Sequence, residues 1–169
     1  HWAKDPNYHL LGIGRKGAPG MQSIQWLQYE PHRAVRKEHI HPYLEPMENA
    51  VLHGQAVARI LLQLKNKGYR PDVVFAHPGW GDSLYVKEVF PDTRVVHFCE
   101  WYYGTPESEI GFDAEFPPHF DTHTKLATWN ALHALNLINC DVAISPTEWQ
   151  RSRHPAILQS KIQLIHEGV

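Results

Sequence analysis

The sequence predicts an α/β domain of the doubly wound kind, with a mainly parallel sheet and helices on both faces. Three observations carry this. Short apolar runs recur at residues 73–76, 95–99, 141–145 and 162–165. Amphipathic helical patterns at residues 46–67 and 124–139 alternate with them. Strands alternating with helices give a parallel sheet joined by right-handed crossovers. The two central runs each end in polar and aromatic residues, and ligands of such sheets bind beyond the carboxyl ends of the strands.

Taken in order, the chain opens on what reads as the last turn of a helix, HWAK, followed by a turn at Asp5, Pro6 and Asn7. Residues 8–13 read as a first strand closed by Gly12 and Gly14. A loop holding Gly17, Pro19 and Gly20 leads to residues 23–29, whose partial alternation suits a half-exposed or edge strand. Residues 30–41 are polar and basic, and read as a loop with little core content.

Residues 46–67 are the clearest helix. Pro46 suits the first helical position. Met47, Ala50, Gly54, Val57, Leu61 and Leu64 form one apolar face, Lys65 and Lys67 favour the carboxyl end, and Gly68 supplies the left-handed stop. Gly54 costs about 1 kcal/mol against Ala inside a helix, so a closely packed neighbour is expected there.

A short helix over residues 82–90, with Asp82 as its cap, separates the central strands. After residue 103 comes a long irregular segment with Pro106, Pro117 and Pro118; loops of this length are functional or disordered, and the aromatic and acidic content favours function. Asp121 or Thr122 caps the next helix, whose buried positions are expected at Leu126, Trp129, Ala131, Leu135 and Ile138. Thr147 and Gln150 form a capping box for a short helix that Pro155 ends.

At 169 residues the chain suits one domain and buries roughly two thirds of its unfolded surface. A net charge of −2 with no basic block argues against a nucleic-acid partner. No apolar run nears the ~18 residues of a membrane span, and no signal peptide is visible. Cys99 and Cys140 lie in apolar surroundings without a CxxC spacing, which suits reduced thiols in a cytoplasm. Thirteen histidines would add much positive charge below about pH 6.

The functional edge is expected within residues 71–103, where His77, Trp80, Asp82, Glu100 and Trp101 fall at the strand ends. In HPGWGD, Gly79 and Gly81 let backbone N–H groups approach a ligand at a helix N-terminus; the same pattern also makes a plain tight turn with a packing Trp. His97 lies inside its strand and reads as a core histidine. A metal centre finds no support, because no HExxH or CxxC spacing is present. Ser83 in GWGDS does not match the GxSxG elbow.

The motifs DVVFAHPGWGDSLYVKEVFPDTRVVHFCEWYY, GFDAEFPP, DVAISPTEWQRSRHP and KIQLIHEGV together resemble the N-terminal domain of family 4 glycosyltransferases of the two-domain GT-B type. The likeness runs from about residue 44 to the end, and HPGWG with GFDAEFPP resembles a bacterial subgroup. It implies a Rossmann-like N-terminal half, residues 1–169, that ends at the interdomain linker. The family's first strand and its Gly-rich loop would precede His1, and a sugar-nucleotide-binding C-terminal domain would follow.

The resemblance implies a hexosyltransferase that moves a sugar from a nucleotide-sugar donor to a hydroxyl acceptor with retention and without a cofactor or metal. The acceptor is a saccharide or lipid-linked, and the expected place is the cytoplasm, with peripheral contact at the inner membrane face. The sequenced part alone is not expected to turn over. Glu100 falls where the family often has a His that contacts the transferred sugar, so it is the catalytic candidate, as a base or as a hydroxyl acceptor. His77, Gly79, Trp80, Gly81, Asp82, Trp101, Tyr103, Asp113 and Glu115 are the substrate-binding candidates. The competing reading is a non-catalytic carbohydrate-binding or scaffold domain of the same fold.

Overall fold

The computed structural model describes residues 2–104 and 110–168. It is an α/β structure in which every strand pairing is parallel. The strands form two sheets. One pairs β1 (Leu11–Arg15) with β2 (Gln25–Tyr29). The other has β3 (Val73–Ala76), β4 (Arg94–Phe98), β5 (Val142–Ser145) and β6 (Ile162–Leu164) side by side in chain order. A single core cluster joins them: Tyr29 and Ile13 from the pair meet Val57 and Leu61 of the long helix and Val74, Val95, Ala143 and Ile162 of the larger sheet.

The first strand starts three residues later than its apolar run suggests and carries Gly12 and Gly14 within it. The cause is Trp26 on the neighbouring strand: a Cβ on Gly12 or Gly14 would lie 2.1 or 2.2 Å from its indole. The two glycines are the bed of a tryptophan, not a terminator.

Helix α1 (Glu45–Asn66) matches its pattern and ends on Gly68 in the left-handed region, φ 88°, with Gly68 N–H donating to Lys65 O and Tyr69 N–H to Leu64 O. Gly54 has the close neighbour its presence implied. A Cβ there would lie 2.8 Å from the carbonyl oxygen of Gly81 and 3.1 Å from the Tyr85 ring. The long helix is therefore shaped to receive the turn that follows β3.

Two helices differ from expectation. The segment after that turn is helical only as α2 (Val86–Val89), capped by Tyr85, so Asp82 caps nothing. Helix α3 (Phe120–Asn139) begins earlier, with His119 as its cap, and is rotated. Leu126, Asn130, Leu132, His133, Asn136 and Leu137 face inward, while Leu135 and Ile138 are exposed. Polar residues displace leucine and isoleucine from the inner face because each finds a partner or a space there. Asn136 Nδ2 donates to Pro78 O at 2.6 Å, and Asn130 holds both backbone groups of Tyr103.

At helix α4 (Glu148–Ser152) half of the expected capping box forms: Gln150 N–H donates to Thr147 Oγ1, while Gln150 Oε1 accepts from the Thr147 hydroxyl and not from its backbone N–H. Pro155 caps a further turn, α5 (Ala156–Gln159). Cys99 and Cys140 are buried free thiols, and burial pushes the Cys99 thiol up to about 12. Among the described residues no helix is long and apolar enough to cross a membrane.

Candidate functional site

Residues 77–82 and 99–103 leave the carboxyl ends of β3 and β4, which lie side by side with Ala76 opposite His97. The turn is tightly determined. Gly81 has φ 87°, and a Cβ on it would lie 2.4 Å from the Ala50 backbone of α1. Gly79 lies against His133 of α3, where a Cβ would fall 2.7 Å from the ring. Both glycines thus answer to helix packing. The Gly79 N–H is already used, donating to His77 Nδ1 at 3.0 Å. The helix that would have focused an anion on this turn is the short α2, which begins five residues past Gly81.

His77 is the hinge of the site. Because its Nδ1 accepts from Gly79, the proton of the neutral ring is on Nε2, which faces Glu100 Oε2 at 3.6 Å. Burial lowers the His77 pKa and outweighs the opposing pull of Glu100, so the imidazole is neutral at pH 7. Trp80 lies over the same imidazole, with ring centroids 4.8 Å apart and planes 30° from parallel, and keeps its other surface open at 60 % exposure. Glu100 is about half exposed. A carboxylate that accepts hydrogen bonds, an imidazole N–H and an open indole face thus share one edge. That is a set suited to a ligand with hydroxyl groups and an apolar face.

The other candidates divide. Trp101 packs against Trp149 of α4, ring centroids 5.6 Å apart. Tyr103 is held by Asn130 and lies against Trp129 and His133. Asp82 belongs to a different network: the Tyr29 hydroxyl donates to its carboxylate, and His53 Nδ1 lies 3.1 Å from the same hydroxyl. Burial and this carboxylate raise the Tyr29 pKa. Asp82 therefore stitches β2 and α1 to the turn. Asp113 accepts from Glu115 N–H within its own loop, and no contact among the described residues brings either acid to His77 or Glu100. His97 is buried as expected, its Nε2 3.0 Å from Ser83 Oγ. Burial drives its pKa down to about 4.

Residues 6–169 match the family model of the Glycosyl transferase family 4 group. The chain belongs to that family. No curated protein matched the chain. A family 4 glycosyltransferase acts between a sugar donor and an acceptor. A cleft of about 530 Å³ lies elsewhere, lined by Lys65, Arg70, Asp72, Phe90 and Arg94. It opens at the amino ends of β3 and β4, the edge that parallel sheets do not use for ligands. Among the described residues no group of three His, Cys, Asp or Glu side chains is arranged to hold a metal.

The supports of the edge, Tyr29, His53, Asn130, His133 and Asn136, are not among the residues that the sequence of this glycosyltransferase singles out. The three on α3 carried a signal. Leu126, Asn130, His133 and Leu137 repeat at spacings of four, three and four, a complete inner stripe that becomes visible once polar residues are admitted to it. Tyr29 and His53 carried none, since Tyr29 pairs with Asp82, 53 residues away, and His53 with Tyr29, 24 residues away.

Proposed function

We propose that the carboxyl edge of β3 and β4 is the acceptor-facing wall of a hexosyltransferase that uses a nucleotide-sugar donor and retains the anomeric configuration. In this reading Glu100 accepts the hydrogen bond of the attacking acceptor hydroxyl and draws on its proton. His77 orients Glu100 through its Nε2–H. Trp80 and Trp101 stack on the sugar or lipid-linked acceptor. Tyr103 and the glycines Gly79 and Gly81 hold the wall in shape, and Asp82 fixes it to the body of the domain. Asp113 and Glu115, on an exposed loop, reach acceptor hydroxyls from outside. The donor is gripped mainly by a C-terminal domain, and the leaving diphosphate is stabilised there.

One observation supports this most: the half-exposed Glu100 carboxylate lies 3.6 Å from a neutral histidine N–H, beside an open tryptophan face. The test is transfer by the full-length protein carrying Glu100→Gln. The expected outcome is a fall in kcat of about 10²-fold or more, the scale of a lost proton-transfer group, with donor binding unchanged. Normal transfer by Glu100→Gln and by His77→Ala would refute the assignment. Binding of a saccharide without any transfer by the wild type would favour a carbohydrate-binding domain instead.

A further inference from the structure

His133 sits where three elements meet. It projects from α3 and is 5 % exposed. Its ring stands edge-on to Tyr103 at 5.7 Å, to Tyr102 at 6.3 Å and to His77 at 6.3 Å. It also fills the space that Gly79 leaves by lacking a Cβ. The helix residues beside it bind the same two segments, Asn130 to Tyr103 and Asn136 to Pro78. His133 Nδ1 has no hydrogen-bond partner. The ring therefore acts by filling space, and a proton placed on Nδ1 would meet no acceptor.

The surroundings make such a proton costlier still. His97 and His154 are 1 % and 2 % exposed, and each has one ring nitrogen without a partner. His154 lies 5.3 Å from the Tyr102 ring that also touches His133. The charged groups around the cluster can be followed element by element. From the end of β3 comes His77, while Asp82 is engaged with Tyr29. From within β4 comes His97, and from beyond its end Glu100, the carboxylate facing His77. From α3 comes Lys125, over the Trp129 ring. From α4 and its end come Arg151, Arg153 and His154, with Arg151 paired to Glu148 and Arg153 over Trp149. Among the described residues the groups that act electrostatically on His133 are the histidines His77, His97 and His154, and Glu100 faces His77.

We propose that His133 is a positioning residue that locks residues 77–82 to residues 101–103, and that the histidines packed around it make this lock open in acid. Its meaning for catalysis rests on the acceptor reading above; the lock itself does not. Burial and the neighbouring histidines hold the His133 pKa down to about 4, so its proton is refused through the range in which a free imidazole charges. Each imidazole that must charge on opening steepens the loss of the closed form by about tenfold per pH unit.

The test is near-ultraviolet circular dichroism of the chain from pH 8 to pH 4, with far-ultraviolet dichroism in parallel. The wild type is expected to lose its aromatic signal below about pH 6 before its helical signal falls. His133→Phe keeps a ring and removes the proton, so its aromatic signal should survive at pH 8 and its acid step should be shallower by about one proton. His133→Gln, smaller and uncharged, serves the same titration if Phe overfills the space. Identical midpoint and steepness in the non-titrating variant would overturn the proposal. So would a His133 imidazole that titrates like a free one, near pH 6.5, in the NMR spectrum of the wild type. Normal transfer by Glu100→Gln would defeat the acceptor reading without changing any of these spectra, so the two ideas fail separately.

Discussion

The turn at residues 77–82 and the loop at residues 110–118 are both rich in glycine, aromatic and acidic residues, yet they are built in opposite ways. In the turn every distinctive residue meets something. Gly81 touches Ala50, Gly79 touches His133, Pro78 accepts from Asn136 and Asp82 accepts from Tyr29. In the loop the distinctive residues face outward. Phe112 is 89 % exposed and Phe116 71 %, and the Asp113 side chain bonds only to its own loop. A sequence motif can therefore stand for two different demands. The first keeps a backbone in a shape. The second presents side chains and depends little on the fold beneath it.

The comparison breaks if the turn tolerates change as the loop should. Gly81→Ala adds a Cβ at positive φ against a helix backbone, and is expected to cost about 3–5 kcal/mol of unfolding free energy in a urea titration. Acid acts on the same region. The unfolded chain takes protons on His97 and His133 near pH 6.5, whereas the folded chain refuses them until about pH 4. Their contribution is thus complete above about pH 6.5 and is lost as pH falls toward 4, at about 3 kcal/mol for each. Stability measured across that interval checks it, and a flat profile would contradict the depressed values.

Asn136→Ala leaves the buried Pro78 carbonyl without its donor and should cost about 2 kcal/mol. In the loop, Gly111→Ala meets only the Pro118 ring, 3.2 Å away, and its cost of about 1 kcal/mol comes mainly from the positive φ. Phe112→Ser, fully at the surface, should shift stability by less than about 0.5 kcal/mol. If the loop touches acceptor, the same substitution raises the acceptor KM of sugar transfer while the melting temperature stays put, which would sharpen the contrast between the two motifs.

The sequence by itself determined the class of fold, the long helix with its glycine stop, and the central strands with the segments that leave their carboxyl ends. These rest on local patterns, namely apolar period, capping chemistry and strand termini, which short windows contain. It also announced, through Gly54, that something would press on α1. Only the tertiary structure decided what that was. It showed that Gly79 and Gly81 serve packing, that Asp82 is tied to Tyr29 and not to a helix end, and that α3 turns Asn130, His133 and Asn136 inward. Each of these depends on a partner distant in the chain, and a buried polar group declares its place only when the atom that satisfies or confronts it is in view.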